Sequence, residues 1–279
     1  MLLASWIDGQ PAASLPVDDR GLAYGDGLFE TISVRNGRIA LLDFHLQRLL
    51  RGVEALHLLP IDIDALSLEL RRFVSTQADI GCIDFSLKLL LTRGSAGRGY
   101  FPLPEAVPRR LLLAYTPAVW PAANGETGIA LFECVTRLGV NPALAGIKHL
   151  NRLEQVLARA EWDDTAFAEG LLRDVDGRVI EGTMSNLFLV HDGQLVTPRL
   201  QRCGIAGVMR SFLVARALTL GIGVLERDVA REELDSADEL FVCNSSFGIW
   251  PIRALGVRRW TPGPLTRRLQ AEVALLWSR

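Results

Sequence analysis

Leu28-Phe29-Glu30-Thr31-Ile32-Ser33-Val34, then Asn36-Gly37, then Arg38-Ile39-Ala40-Leu41-Leu42, is the stretch that decides the fold. Apolar and polar residues alternate in the first run, which is the period of a half-buried strand. Asn-Gly accepts the positive φ values of a two-residue turn, so the segment predicts a β-hairpin. Asp43 is then expected to cap a helix through which Leu46, Leu49, Leu50, Val53 and Leu56 recur at helical spacing. Working outward, a second helix is expected from about Ile63 to Gln77. Ile83, Phe85, Leu87, Leu89 and Leu91 alternate as a strand, and Leu111 to Tyr115 reads as another.

Thr116 to Thr127, TPAVWPAANGET, joins two prolines to Asn-Gly without sustained periodicity, the signature of a connecting segment. This divides the chain into a smaller N-terminal domain over 1–117, a linker over 118–126 and a larger domain over 127–279. In the second half a strand is expected near Ile129 to Val135 and a helix from about Leu150 to Trp162. A hairpin on Asp176-Gly177 should lead into Val179 to Val190, with a helix from Val208 to about Leu220. Strands near Val224 and Leu240 and a helix after Pro264 complete the pattern. Strands interleaved with few helices predict mixed sheets of the α+β class.

Composition narrows the function classes. The 279 residues are 49% hydrophobic and 22% charged, enough apolar material for a sizeable core without metal or disulfide support. A net charge of -2 with dispersed Lys and Arg argues against nucleic acid as a partner. The four cysteines form no CxxC pair and are expected as buried free thiols. No apolar run approaches the ~20 residues of a membrane span, and the N-terminus lacks a basic leader, which predicts a cytoplasmic protein.

Several residues are suited to chemistry. In Gly146-Ile147-Lys148-His149-Leu150-Asn151-Arg152 a lysine stands among apolar residues before a helix. A partly desolvated lysine has a lowered pKa and forms imines with aldehydes, whereas an isolated lysine at a helix start is more often solvent-facing. Glu181, in Val179-Ile180-Glu181-Gly182-Thr183-Met184-Ser185-Asn186, interrupts the entry to an apolar strand, and such a carboxylate can keep a pyridine nitrogen protonated. Read alone it is a hairpin-edge glutamate. Gly204-Ile205-Ala206-Gly207-Val208-Met209 opens a helix, where backbone N–H groups bind anions, and Asn244-Ser245-Ser246 follows a strand. Arg48 lies on the first helix, and Thr92-Arg93-Gly94-Ser95-Ala96-Gly97-Arg98-Gly99-Tyr100 is a glycine-rich loop with two arginines. That loop lacks the Lys-Ser/Thr ending of a nucleotide-binding P-loop.

In their order and spacing, DDRG at 18–21, YGDGLFET at 24–31, HLQR, TRGSAGRGY, GIKHLNRLEQ, EGTMSNLF, TPRL, GIAGVMR and CNSSFGI resemble the fold-type IV pyridoxal-phosphate enzymes. This is the group of branched-chain aminotransferases, D-amino-acid aminotransferases and aminodeoxychorismate lyases, and the match runs over nearly the whole chain. The resemblance implies a two-domain α+β fold and pyridoxal 5'-phosphate as cofactor. It makes Lys148 the cofactor-bonding lysine and Glu181 the partner of the ring nitrogen. It assigns the phosphate to Arg48, the backbone of Val208 and Met209, and Ser245. Arg152 falls near where relatives place a tyrosine beside the ring hydroxyl. Arg98 and Tyr100 align with an arginine and a histidine that bind substrate carboxylate in D-amino-acid aminotransferases. Tyr24 and Phe29 join them at the substrate, with Thr31 a candidate helper in catalysis.

Tyrosine in place of that histidine, and Phe29 where those aminotransferases carry tyrosine, depart from a transaminase pocket. KHLNRLEQ, the GSAGRGY loop and CNS are most similar to the lyases. The resemblance therefore implies conversion of 4-amino-4-deoxychorismate to 4-aminobenzoate and pyruvate, a step of folate biosynthesis. It also implies a homodimer, with transient contact with aminodeoxychorismate synthase as a further partner. The alternatives are D-amino-acid or branched-chain transamination, or a catalytically inactive relative serving as a binding protein.

Overall fold

The computed structural model describes residues 1–95, 97 and 99–277. The chain divides into two compact units: Met1–Ala118 with Ile147–Asn151, and Val119–Gly146 with Arg152–Arg279.

In the first unit the elements are β1 (Leu2–Ile7), β2 (Gln10–Pro11), α1 (Arg20–Tyr24), β3 (Gly27–Arg35), β4 (Arg38–Ile39), α2 (Leu42–Ala55), α3 (Ile63–Asp79), β5 (Phe85–Thr92) and β6 (Arg109–Tyr115). The strands form one antiparallel sheet in the order β2-β1-β6-β5-β3-β4. The expected hairpin is present: Asn36 and Gly37 have φ of 50° and 69° between β3 and β4. Along β3 the alternation sends Leu28, Glu30, Ile32 and Val34 into the interior and leaves Phe29, Thr31 and Ser33 half-buried on the other face. Leu87, Leu89 and Leu91 of β5 and Leu66, Leu70 and Phe73 of α3 are also buried in this unit.

One helix start in this unit differs from expectation. Asp43 does not cap α2; it lies in the first turn, where its charge suits the helix dipole. The cap position is Leu41, held at φ 51° because the chain turns into the helix directly after the short β4. By contrast α3 begins as its residues predict, with Asp62 accepting from the N–H groups of Asp64 and Ala65.

The second unit contains α4 (Ala123–Glu126), β7 (Ile129–Leu138), α5 (Leu153–Arg159), β8 (Phe167–Asp174), β9 (Val179–Gly182), β10 (Asn186–His191), β11 (Gln194–Pro198), α6 (Val208–Thr219), β12 (Val224–Arg227), a 3-10 helix (Arg231–Ser236), β13 (Glu239–Asn244), β14 (Gly248–Leu255), β15 (Arg258–Arg259) and α7 (Pro264–Ala274). Its sheet runs β12-β11-β10-β13-β14-β7-β8-β9, with β15 on β14. The β11–β12, β14–β7 and β7–β8 pairs are parallel and the others antiparallel, the mixed sheet of an α+β fold. Leu187, Leu189, Leu240, Val242, Trp250 and Ile252 fill its main core.

The stretch expected as linker includes the short α4. The helix expected from Leu150 starts only at Leu153. The reason is long-range pairing: Ile147–Asn151 is held extended against β3, so it groups with the first unit although sequence expectation gave Lys148 to the larger one. Cys134, Cys203 and Cys243 are buried free thiols and Cys82 is half-buried. Burial pushes the first three up to about 12, which leaves them protonated and unreactive. Among the described residues no helix is long and apolar enough to cross a membrane.

Candidate active site

Lys148 sits on a backbone clamp. Its carbonyl accepts from the Phe29 N–H at 2.9 Å, His149 bridges Leu28, and the Leu150 N–H donates to Gly27 O at 3.0 Å. The lysine is half-buried rather than solvent-facing, and its Nζ lies 4.3 Å from the centroid of the Phe29 ring. Lys88 approaches the same ring, with Nζ at 5.2 Å. It is paired with Thr31 across β3 and β5, so Phe29, Thr31 and Lys88 share one sheet face. Lys88 is not among the residues that the sequence motifs single out, although the alternation Leu87-Lys88-Leu89 carries a signal: with both leucines buried, the lysine between them lies on the opposite face.

Glu30 lies on the interior face of β3, where it meets α2. Arg48 Nε donates to Glu30 Oε1 at 2.8 Å, Arg48 also pairs with Glu30 Oε2, and His45 Nδ1 lies 2.6 Å from Oε2. All three side chains are buried. Burial alone would raise the Glu30 carboxyl, but the Arg48 guanidinium and the His45 hydrogen bond outweigh it and hold it at about 2. Burial lowers His45 against the pull of Glu30, while Arg48 and Lys148 push it the same way as burial. A neutral His45 facing an ionised Glu30 carries its proton on Nδ1 and donates it. Arg48, expected as a phosphate ligand, is thus no exposed helix arginine; its fork is oriented by Glu30.

This cluster makes stability depend on pH. With the folded value near 2 and the unfolded value near 4.5, the ionised Glu30 stabilises the fold above about pH 4.5, and that contribution is lost as pH falls toward 2. A shift of this size corresponds to roughly 3 kcal/mol. Urea midpoints measured between pH 6 and pH 2 should fall more steeply for the wild type than for Glu30→Gln; parallel curves would contradict the assignment.

The second unit holds Glu181, also buried, whose Oε2 accepts from the Ile205 N–H at 2.8 Å. It is no solvent-facing hairpin glutamate. Asn186 clamps the following turn, with Oδ1 accepting from Gly207 N at 3.0 Å and Nδ2 donating to Ile205 O at 2.9 Å. A Cβ on Gly207 would stand 2.0 Å from Asn186 Oδ1, so only glycine fits there. Gly207 is the N-cap of α6 and gives the first turn no side-chain acceptor. The backbone N–H groups of Val208 and Met209 therefore begin a helix without a side-chain cap, the geometry that receives an anion. Ser245 lies in the turn after β13, shaped by Asn244, whose Oδ1 accepts from the N–H groups of Ser246 and Phe247 and whose Nδ2 donates to Met184 O. Arg152 is the N-cap residue of α5; burial lowers its guanidinium, and the carboxylates of Glu181 and Glu154 oppose that.

The Glu181-bearing turn has a further support that the sequence does not advertise. Glu169, completely buried on β8, accepts from the N–H groups of Gly170, Thr183 and Met184 and from the hydroxyls of Thr183 and Ser185. Burial raises this carboxyl despite those donors. It ties Thr183, Met184 and Ser185 to β8.

The first unit thus brings Lys148 together with Phe29, and Arg48 with Glu30; the second brings Glu181 together with Arg152 and the start of α6. Tyr24 and Tyr100 meet with ring centroids 5.6 Å apart. Arg98 lies outside the described residues. The first unit offers an amine, and the second a buried carboxylate and a helix start without a side-chain cap, groups whose chemistry suits a phosphorylated pyridine aldehyde.

The model of the family described as amino-transferase class IV matches residues 27–255. The chain belongs to that family. It is 35% identical to the aminodeoxychorismate lyase of Vibrio harveyi over 96% of this chain and 98% of that one. It is 31% identical to a putative branched-chain-amino-acid aminotransferase of Methanocaldococcus jannaschii, covering 93% and 90%. Among solved structures, the 4-amino-4-deoxychorismate lyase of Pseudomonas aeruginosa is 54% identical with a TM-score of 0.92, covering 96% of this chain and 97% of that one. The class IV fold is thus that of the fold-type IV enzymes, and the α+β expectation holds.

Proposed function

We infer that the chain is a 4-amino-4-deoxychorismate lyase that uses pyridoxal 5'-phosphate to release pyruvate and form 4-aminobenzoate. The structural observation that carries the reading is the pair of ammonium groups over one apolar ring, Lys148 at 4.3 Å and Lys88 at 5.2 Å from Phe29. One amine serves the cofactor. The other is a cation at the same place, suited to a substrate that carries two carboxylates rather than the one of a simple amino acid. The 54% identity to the Pseudomonas aeruginosa lyase supports the same substrate.

When bound, the coenzyme supplies a protonated pyridine ring that accepts the electron pair released on breaking a C–H bond. Glu181, buried and already oriented by the Ile205 N–H, would keep that ring nitrogen protonated. The helix start at Val208 and Met209, Ser245 and Arg48 would hold the phosphate, with Arg48 aimed by Glu30. Arg152 would lie by the ring hydroxyl. Lys148 would hold the coenzyme through its aldehyde, and its amine would be the base for the substrate's C4 proton. The same amine would return that proton to the leaving enol as the C3–O bond of the substrate gives way and its ring becomes aromatic, which yields pyruvate. Thr31, on the Lys88 face of the sheet, would assist. Tyr24, Phe29, Arg98 and Tyr100 would contact the substrate.

The test is direct. Incubation with 4-amino-4-deoxychorismate should release pyruvate and 4-aminobenzoate in equal amounts, while D-alanine with 2-oxoglutarate should react slowly. Rapid transamination without aminobenzoate would replace the lyase reading by an aminotransferase.

A further inference from the structure

Arg20 is 3% exposed, yet its partners lie in a loop whose neighbouring residue Tyr100 is 86% exposed. Its NH1 donates to Gly99 O at 2.8 Å and its NH2 to Tyr100 O at 3.2 Å. On the other edge of the fork, Nε donates to Asp26 Oδ2 at 2.9 Å. That same oxygen receives Arg93 Nε at 2.8 Å, and Arg93 in turn donates to the carbonyls of Leu56 and His57 just past α2. The guanidinium also covers the Tyr24 ring at 4.9 Å, and the Tyr24 ring meets that of Tyr100. Two successive loop carbonyls are therefore tied through one guanidinium and one carboxylate to the end of a helix.

We propose that Arg20 is a positioning residue for substrate binding: it fixes the backbone at Gly99 and Tyr100, and so sets where the side chains of this loop meet the substrate. Both carbonyls and the carboxylate must be reached from one planar group, which arginine does and an ammonium does not. Removing the fork deletes no group of Tyr100 but frees the backbone that carries its side chain. The cost then falls on substrate capture rather than on the cofactor or the proton transfers. This inference rests on the lyase reading only for the identity of the substrate.

The experiment compares wild-type holoenzyme with Arg20→Met and Arg20→Lys. Two readouts are taken, steady-state kinetics on 4-amino-4-deoxychorismate and the rate of chymotryptic cleavage of the Tyr100–Phe101 bond. Expected are a KM raised about tenfold or more in both variants, a kcat within about threefold, an unchanged cofactor absorbance and cleavage faster by about tenfold. A general structural defect would instead lower kcat and cofactor content together, and that result would overturn the proposal. So would an unchanged KM, or full rescue by lysine, which would reduce the role to charge. Should Arg20→Met fail to fold, Asp26→Asn weakens the same anchor from its other side and is expected to raise KM and cleavage likewise; no change in either sinks the inference. Cleavage that stays slow in the variants removes the anchor whatever the substrate. A wild type without lyase activity removes the substrate reading while the cleavage rates still judge the anchor.

Discussion

Lys148→Ala lowers release of 4-aminobenzoate by roughly 10³-fold or more and abolishes the imine that borohydride traps at this position. The magnitude follows from the two proton transfers assigned to one amine, since a positioned acid or base contributes about 10²–10⁴-fold. The fold should survive. Lys148 is held in place by backbone bonds, its carbonyl accepting from Phe29 N and the Leu150 N–H donating to Gly27 O, and alanine keeps both of these. Circular dichroism and the urea midpoint should therefore match the wild type while activity is lost. A variant that retained a reducible imine at residue 148's expected site, or kept more than a tenth of the turnover, would show that another amine does the chemistry, and Lys88 would be the one to examine.

Glu181→Gln is expected to lower kcat by about 10²-fold, the order seen when one preorganised electrostatic partner of a reacting system is removed. The substitution separates charge from architecture. A glutamine oxygen can still accept from the Ile205 N–H that Glu181 Oε2 engages, so the 204–207 turn and the start of α6 keep their geometry. The negative charge that would keep a pyridine nitrogen protonated is gone. Cofactor loading, read from visible absorbance, should be reduced only modestly, because the phosphate contacts proposed for Val208, Met209, Ser245 and Arg48 are untouched. An unaltered kcat with full loading would exclude Glu181 from the role.

Much of the fold was legible because local signals agreed with tertiary demand. Asn36-Gly37 could turn only one way, the alternation from Leu28 to Val34 named the buried face, and Asp62 capped α3 through its own side chain. Lys148 and Glu181 stood out as charges inside apolar runs. The failures share a cause in contacts distant along the chain. The extended course of Ile147–Asn151 is set by β3, far upstream, so helical spacing after Leu150 gave no hint that α5 would start late. Glu169 is defined by donors from residues 170 and 183–185 meeting at one carboxylate, and nothing in its own neighbours indicates that convergence. Arg20 is similar: it adjoins Asp19 in the sequence, yet it acts on Gly99 and Tyr100.

Glu169 has an evolutionary corollary. The carboxylate takes the N–H groups of Thr183 and Met184 and the hydroxyls of Thr183 and Ser185, so the Met184 side chain has no part in these bonds. Lineages of this family could therefore exchange side chains such as Met184, which is 41% exposed, and acquire new specificities without rebuilding the support underneath. Innovation and foundation are borne by different atoms of one short peptide.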